Sequence, residues 1–164
     1  MAEQLDRGPA GPVVNIAPVS SADWRAVAAL TVTPEQRGFV AEPSYYLALC
    51  CFGEAGWRPL SMAVDGEVVG FLMWAIDPSD GSCWLGGVLV EAARQGHGIG
   101  RAGVAAALRH LSSEHGYRAF ALSYHPENLR ARRIYARLGF VETGERDGDE
   151  IVARWRLEGG ADSH

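Results

Sequence analysis

Four glycines lie within ten consecutive residues, RQGHGIGRAG, at positions 94–103. An apolar run, CWLGGVLVE (83–91), comes directly before them, and a run rich in Ala and Leu follows to about His115. This order predicts a strand, a tight turn and a helix that Gly116 ends. The first N–H groups of a helix are unpaired and carry partial positive charge, and glycines let an anion approach them closely. The sequence therefore predicts a phosphate-binding turn.

Two phosphate-binding patterns fit these glycines. Residues 98–103 satisfy the dinucleotide fingerprint GxGxxG, but that site also needs an acidic residue at the end of the following strand. Here the strand ends in Ser-Tyr-His at 123–125, which argues against a dinucleotide. The second pattern, Gln/Arg-x-x-Gly-x-Gly/Ala, begins at Gln95, and Arg101 adds a positive charge inside the turn. We therefore expect a pyrophosphate there, with a purely structural glycine turn as the alternative.

The remaining segments predict an α+β (α/β) domain. Asp65-Gly66 between two apolar runs is a strong signal for a β-hairpin. We expect one domain at 12–158 with a leader at 1–11 and a tail at 159–164. Its core is a mixed, mostly antiparallel sheet of six to seven strands flanked by about four helices. The other predicted elements are a strand at 12–19, a helix from Ser20 or Ser21 to about Leu30, a bent connection at 31–43, a helix at 44–54, a strand at 118–124, a helix at 128–138, and two last strands, FVETG and EIVARWRL.

Composition excludes several classes of protein. The chain is 48% hydrophobic and 21% charged, which fits a globular domain and not a disordered or fibrous chain. No apolar run is long enough for a bilayer and no signal peptide is evident, so we expect a cytoplasmic protein that does not bind membranes. A net charge of −5 argues against nucleic-acid binding and favours cationic partners. No metal site is expected from the histidines, and the cysteines are expected to be reduced core residues: His110, His115 and His125; Cys50, Cys51 and Cys83.

A second group of residues follows the glycine turn, in the order N-x-x-A-x-x-x-Y-x-x-x-G-F. It comprises Asn128, Ala131, Tyr135 and Gly139-Phe140. Asn128 can cap the helix that it begins, and Tyr135 lies about two turns later on nearly the same face. Taken singly, the asparagine could be an ordinary cap and the tyrosine a half-buried core residue. Their combination at this distance from the glycine turn indicates a ligand-binding role.

These motifs together resemble the GNAT superfamily of N-acetyltransferases, which move an acetyl group from acetyl-CoA to an amine. The resemblance spans roughly residues 13–157. Three segments look like the bacterial diamine and polyamine branch: VTPEQRGFVAEPS (32–44), VGFLMW (69–74) and LSYHPENLRARRIYARLGF (122–140). The resemblance implies a GNAT fold splayed at its fourth strand, acetyl-CoA as the cofactor and a homodimer.

The resemblance also implies a role for each residue of the cofactor site. The strand at 88–90 would pair with the pantetheine arm, the glycine turn would hold the pyrophosphate, and Asn128 would bond to the pantetheine. Tyr135 would give its proton to the departing thiolate, because a phenol stays protonated at neutral pH. The backbone N–H of Leu89, or that of Val90, would stabilise the developing oxyanion. The implied cofactor-binding residues are Val88, Leu89, Val90, Gln95, Gly96, His97, Gly98, Ile99, Gly100, Arg101, Asn128 and Tyr135.

The acceptor must be argued from fewer residues. The polyamine enzymes tend to carry charged residues at the start of the central strand, where this chain has Gly86 and Gly87. A glycine pair inside a strand indicates either a bulge or room for a bulky ligand. Polyamines or diamines are the leading acceptors because the resemblance is best to that branch. A bulkier amine such as an antibiotic or amino acid comes second because of the Gly86-Gly87 pair, and a protein N-terminus third. A CoA-binding sensor without turnover is the alternative outside catalysis. The candidate substrate contacts are Gln36, Phe39, Trp74, Trp84 and Glu150. Four arginines could face either the CoA phosphates or solvent: Arg130, Arg132, Arg133 and Arg137.

Overall fold

The computed structural model describes residues 11–158, which form a seven-stranded sheet with helices packed on both faces. The leader predicted at 1–11, apart from its last residue, and the tail predicted at 159–164 lie outside the described residues. Within this part of the chain, no helix is long and apolar enough to cross a membrane. The strands are β1 (Asn15–Pro18), β2 (Arg58–Val64), β3 (Glu67–Ile76), β4 (Cys83–Val90), β5 (Ala119–Tyr124), β6 (Val141–Asp147) and β7 (Glu150–Arg156). The helices are α1 (Trp24–Ala28), α2 (Pro43–Phe52), α3 (Ile99–His115) and α4 (Leu129–Leu138), with short 3-10 turns at Pro34–Gln36 and Ala92–Arg94.

The strand order across the sheet is β1-β2-β3-β4-β5-β7-β6. All neighbouring strands are antiparallel except β4 and β5, which are parallel because the glycine turn and α3 cross over between them. The predicted α+β architecture, with a mixed and mostly antiparallel sheet and four helices, is therefore confirmed.

The N-terminal elements are shorter than predicted. The Asp23 carboxylate accepts a hydrogen bond from the Ser20 N–H at 2.6 Å, which closes these residues into a turn. As a result α1 begins only at Trp24 and is five residues long. The α2 helix begins at Pro43, one residue before the predicted start, because proline is well tolerated in the first helical position.

Side chains of β3 alternate between two apolar layers. Leu72 packs with Leu108 on the α3 and α4 side of the sheet. Phe71 and Met73 pack with Val27 on the α1 and α2 side. This alternation is the two-residue period of a strand that is buried on both faces. The neighbouring strand β4 therefore runs through the middle of the molecule.

The sheet splits between β4 and β5. The two parallel strands are paired only at Cys83 with Phe120 and at Trp84 with Ala121, and beyond these residues they diverge. On its other edge β4 contains a bulge, since its register with β3 shifts between the pairs at Leu89 and Gly86. The splay predicted at the fourth strand is confirmed, and it leaves the last residues of β4 without a β5 partner.

The glycine pair of β4 is explained by this bulge and by two aromatic rings. Gly87 has a φ of +58°, and a Cβ there would lie 3.3 Å from the rings of both Phe71 and Tyr46. A Cβ on Gly86 would lie 3.1 Å from the Trp57 ring. Of the two predicted explanations for the glycine pair, the bulge is confirmed. The other, that the glycines leave room for a bulky ligand, is wrong because Trp57 and Tyr46 fill that space.

Candidate active site

A cavity of about 370 Å³ opens in the fork between β4 and β5. Its walls are the end of β4, the glycine turn, the first turn of α3 and one face of α4. The predicted residues that line it are Val88, Leu89, Val90, Gln95, Gly96, Gly98, Ile99, Gly100, Arg101, Asn128, Tyr135, Gln36 and Phe39. Residues that are far apart in the chain are thus brought to one surface by the crossover.

The glycine turn provides a cradle for an anion. Gly96 and Gly98 have φ values of +82° and +79°, a left-handed conformation that favours glycine. α3 starts directly after Gly98 without a side-chain cap, so its first turn offers unpaired N–H groups. A Cβ on Gly100 would lie 3.7 Å from both Ile134 and Val90, in the gap between β4 and α4. Gly100 also lines the cavity, so the turn and the start of α3 together form a cradle that suits a phosphate-containing ligand.

His97 is a residue of the predicted cofactor set that does not line the cavity. Its Nδ1 lies 3.2 Å from the Arg94 carbonyl oxygen, and its exposed ring is not part of the cavity wall. The residue occupies the outer side of the turn because Gly96 and Gly98 on either side fold the backbone back on itself.

Gln95 connects the turn to three other segments. Its Nε2 donates to Gln36 Oε1 at 2.6 Å and to the Val90 carbonyl at 3.0 Å. Its Oε1 accepts from Arg130 Nη1 at 3.1 Å. The side chain therefore holds the 34–36 turn, β4 and α4 together across the cavity.

The segment around Phe39 closes the cavity from above. Its ring lies 5.6 Å from the ring of His125, which belongs to the loop between β5 and α4. Since Gln36 on the same segment is bonded to the glycine turn, the segment spans the fork from one side to the other. Both residues line the cavity.

Asn128 is both a helix cap and part of the cavity wall. Its Oδ1 accepts a hydrogen bond from the Ala131 N–H at 3.3 Å, at the start of α4. The cap considered from the sequence is thus confirmed. The amide nitrogen of the same side chain is not used by the cap, so a ligand in the cavity can accept from it.

Tyr135 presents a buried phenol to the cavity. The residue is 8% exposed, and its ring packs on those of Tyr124 and Phe140, with centroids 5.6 Å and 6.0 Å away. Burial, and then the nearby Tyr124, Glu150 and Tyr46, raise the pKa of Tyr135 above its ordinary value of about 10. Its hydroxyl is therefore a proton donor at neutral pH.

Glu150 stands at the other side of the fork, at the start of β7. Its Oε1 accepts a hydrogen bond from Ser123 Oγ at 2.8 Å. Its charge is close enough to raise the pKa values of Tyr135 and Tyr46, after the larger effect of burial. Glu150 does not line the cavity wall itself, but its charge acts on the phenol that does.

Neither of the two predicted tryptophans lines the cavity. Trp74 is 4% exposed and packs against His115 at 4.9 Å, at the far end of α3 from the glycine turn. It faces this core because β3 alternates, so it cannot meet an acceptor in the fork. Trp84 lies outside the cavity wall, and the Arg154 guanidinium is 5.6 Å from its ring centroid.

The direction of the backbone N–H groups at the end of β4 changes which residue is the candidate to stabilise the oxyanion. The Glu91 N–H donates to the Val69 carbonyl on β3, and N–H groups two residues apart on a strand point the same way. Leu89 therefore directs its N–H towards β3, while Val90 and Val88 direct theirs into the fork. The Val90 carbonyl, which accepts from Gln95, points into the fork in the same way. Val90 replaces Leu89 as the candidate.

Tyr46 is a residue close to the end of β4 that the sequence did not predict to lie there. Its hydroxyl accepts from the Ala41 N–H at 2.9 Å, and its ring stacks on Phe71 with 6.0 Å between centroids. The signal for it is Gly87, whose missing side chain makes room for the ring, but this match requires knowing that α2 crosses β4. Further cavity-lining residues outside the predicted binding set are Val40, Arg94, Val104, Arg130, Ala131, Arg133, Ile134 and Arg137.

Comparisons with known proteins agree with this arrangement. The family described as Acetyltransferase (GNAT) matches residues 23–140. The chain is 26% identical over 153 residues to the spermine/spermidine N(1)-acetyltransferase of Bacillus subtilis strain 168. The aligned region covers 86% of this chain and 97% of that protein.

Solved structures share the fold. The GNAT domain of S. lividans PAT superposes with a TM-score of 0.69 at 15% identity, covering 88% of this chain and 90% of that one. The aminoglycoside acetyltransferase AAC(6')-Ib, solved with kanamycin and coenzyme A, has a TM-score of 0.70 at 16% identity and covers 87% and 94%. At these identities the likeness concerns the fold alone.

Proposed function

Because the chain belongs to the acetyltransferase (GNAT) family, we propose that it acetylates a primary amine of a polyamine or diamine with acetyl-CoA. The matched region contains the fork, the glycine turn and Tyr135. As a member of this family the protein is an acetyl-CoA-dependent acyltransferase that acts on amines. The observation that carries the narrower proposal is the Glu150 carboxylate, which Ser123 holds at the start of β7, close enough to raise the pKa of Tyr135.

In this proposal the cavity would hold the parts of acetyl-CoA in order. The glycine turn and the first turn of α3 would hold the pyrophosphate, with positive charge nearby from Arg130, Arg133 and Arg137 on the cavity wall. The free backbone edge of β4 would pair with the pantetheine arm, which Asn128 can reach from α4. This order brings the thioester end towards Tyr135.

Acetyl-CoA supplies an acetyl group activated as a thioester. The Val90 N–H would donate to the carbonyl oxygen as negative charge develops there, because it points into the fork and has no β5 partner. Tyr135 would then transfer its proton to the departing sulfur. The acceptor nitrogen forms the new C–N bond as the C–S bond breaks, and its surplus proton leaves to a base.

Glu150 is the group proposed to receive that proton and to hold the acceptor. A polyamine arrives as an ammonium ion, and a carboxylate both attracts it and can remove a proton, directly or through water. Ser123 fixes one carboxylate oxygen, which leaves the other for the substrate. Gln36 and Phe39 would cover the acceptor from the segment above the cavity.

Three observations favour a slender cationic amine over a bulkier one. The space beside Gly86 and Gly87, which could have served a large acceptor, is filled by aromatic side chains. The chain carries a net charge of −5, which attracts polycations. The curated relatives are named as spermine or spermidine acetyltransferases.

The test is release of CoA thiol from acetyl-CoA with a panel of acceptors. Spermine, spermidine and putrescine are compared with kanamycin, free amino acids and short peptides. We expect the highest kcat/KM with a polyamine or diamine. Turnover with kanamycin alone would contradict the acceptor but keep the enzyme class. Binding of acetyl-CoA without turnover on any amine would favour a CoA sensor instead.

A further inference from the structure

Tyr135 is held by a second tyrosine that the reaction itself does not use. Tyr124 lies on β5, is 5% exposed, and its ring stacks on that of Tyr135 with 28° between the planes. The Tyr124 hydroxyl donates to Glu142 Oε1 at 2.8 Å. A phenylalanine would fill the same volume, so the hydroxyl and its partner call for a separate explanation.

Glu142 is fixed in turn by an arginine. Arg132 donates to both carboxylate oxygens, from Nε at 2.6 Å and from Nη2 at 3.0 Å. Such a two-pronged pair sets the plane of the carboxylate as well as its position. Arg132 lies on α4, three residues before Tyr135, so the chain of contacts returns to the helix from which it started.

The charges of this network are stable around neutral pH. Hydrogen bonds from Arg132 and Tyr124 lower the pKa of Glu142, so that it stays ionised. Burial, followed by the bond to Glu142, raises the pKa of Tyr124 to about 12, so that it stays a donor. The direction of the hydrogen bond is therefore fixed, and the Tyr124 hydroxyl cannot move away from Glu142 without breaking it.

We propose that Tyr124, Glu142 and Arg132 are positioning residues that hold the Tyr135 phenol at the angle needed to protonate the leaving sulfur. The proposal rests on the role of Tyr135 given above. Proton transfer depends steeply on the position of the donor, and a small displacement of a reacting group is costly. The network joins β5, β6 and α4 around one ring, which is what such positioning requires.

The experiment compares Tyr124→Phe and Glu142→Gln with a matched control, Glu145→Gln. Glu145 is also on β6 and also forms a two-pronged pair with an arginine, Arg154, but it does not touch Tyr124 or Tyr135. We expect kcat to fall about threefold to tenfold in the first two variants, with the KM for acetyl-CoA little changed. The control should keep the wild-type kcat, and melting curves verify that all variants fold.

A double mutant separates positioning from a general structural effect. If Tyr124 acts through Tyr135, adding Tyr124→Phe to Tyr135→Phe should lower kcat no further. A further loss of the same size would overturn the proposal, as would equal behaviour of Tyr124→Phe and Glu145→Gln. Full activity of Tyr135→Phe alone would instead remove the general acid itself. That outcome is distinct, because it would make the proposed function wrong in its proton donor while leaving the cofactor site intact.

Discussion

Gly87 shows how one residue shapes both faces of the central strand. Its φ of +58° forms the bulge, and its missing Cβ admits the ring of Tyr46. We expect Gly87→Ala to lower the free energy of unfolding by about 1–3 kcal/mol, from backbone strain together with overpacking against Tyr46 and Phe71. Urea unfolding measures the change.

Gly148 provides the matched control for this substitution. It also has a φ of +58°, but nothing lies within 4 Å of where its Cβ would be. Gly148→Ala therefore carries the strain without the overpacking and should cost less. Equal losses for Gly87→Ala and Gly148→Ala would mean that the aromatic contacts of Gly87 contribute nothing.

Glu150 is a second single residue on which a prediction can be made, because its carboxylate is proposed to bind the acceptor ammonium. Glu150→Gln keeps the shape and removes the charge, so kcat/KM for a polyamine should fall about tenfold or more. The affinity for acetyl-CoA should not change, which isothermal titration measures. Asp149→Asn is the control, since it removes a neighbouring exposed charge from the same hairpin. A similar loss in both variants would indicate a diffuse charge effect and not a contact.

At the scale of elements, the Gln95 side chain joins the glycine turn to the segment that is proposed to cover the acceptor. Gln36→Ala and Gln95→Ala each break their shared 2.6 Å hydrogen bond. We expect the acceptor KM to rise about threefold to tenfold in each, and the double variant to be little worse than Gln95→Ala. Steady-state kinetics at saturating acetyl-CoA tests this. Additive effects would mean that the two residues act independently.

Helix α4 depends on Asn128 for its start, and its capping and ligand roles can be separated. Asn128→Ala removes both and should cost about 0.5–2 kcal/mol of stability. Asn128→Asp keeps an oxygen for the Ala131 N–H but loses the amide donor that faces the cavity. We therefore expect the aspartate variant to fold with near-native stability yet bind acetyl-CoA more weakly. Unchanged affinity would restrict Asn128 to capping.

The elements also show which parts of the site a sequence can predict. The glycine turn and the Asn128 to Tyr135 helix depend on local spacing, so their place at the cavity could be predicted. Trp74 could not, because which face of β3 packs under α3 is set by the register of the whole sheet. Tyr46 was hidden for the same reason, since its partner Gly87 is distant in sequence. Long-range packing, and not local propensity, decides such positions.

At the scale of the whole molecule, the fork is a consequence of topology. A crossover through α3 makes β4 and β5 parallel, while the other neighbouring pairs are antiparallel. β5 is tied along its length to β7, and β4 is bent by its bulge against β3, so the two strands can meet only at one end. The open end receives the glycine turn from one side and Glu150 from the other. The site is thus built at the one parallel junction of the described sheet.

Three buried or half-buried phenols set an alkaline limit to the stability of the whole protein. Burial is the first cause that raises the pKa values of Tyr46, Tyr124 and Tyr135, with Tyr124 at about 12. In the unfolded chain a phenol ionises near pH 10. Below that pH both states keep these protons and the stability is complete. Above it the unfolded state loses them first, so the free energy of unfolding should fall as the pH rises from about 10 towards 12.

Urea unfolding at several pH values from about 8 to 11 measures how the free energy of unfolding falls with pH. The slope gives the number of protons released on unfolding. Tyr124→Phe removes one of the three phenols, so its stability should decline less steeply with pH than that of the wild type. A decline of the same steepness in both proteins would mean that Tyr124 ionises alike in the folded and unfolded states. The hydrogen bond to Glu142 would then not keep its proton in place, and the network around Tyr135 would lose its fixed direction.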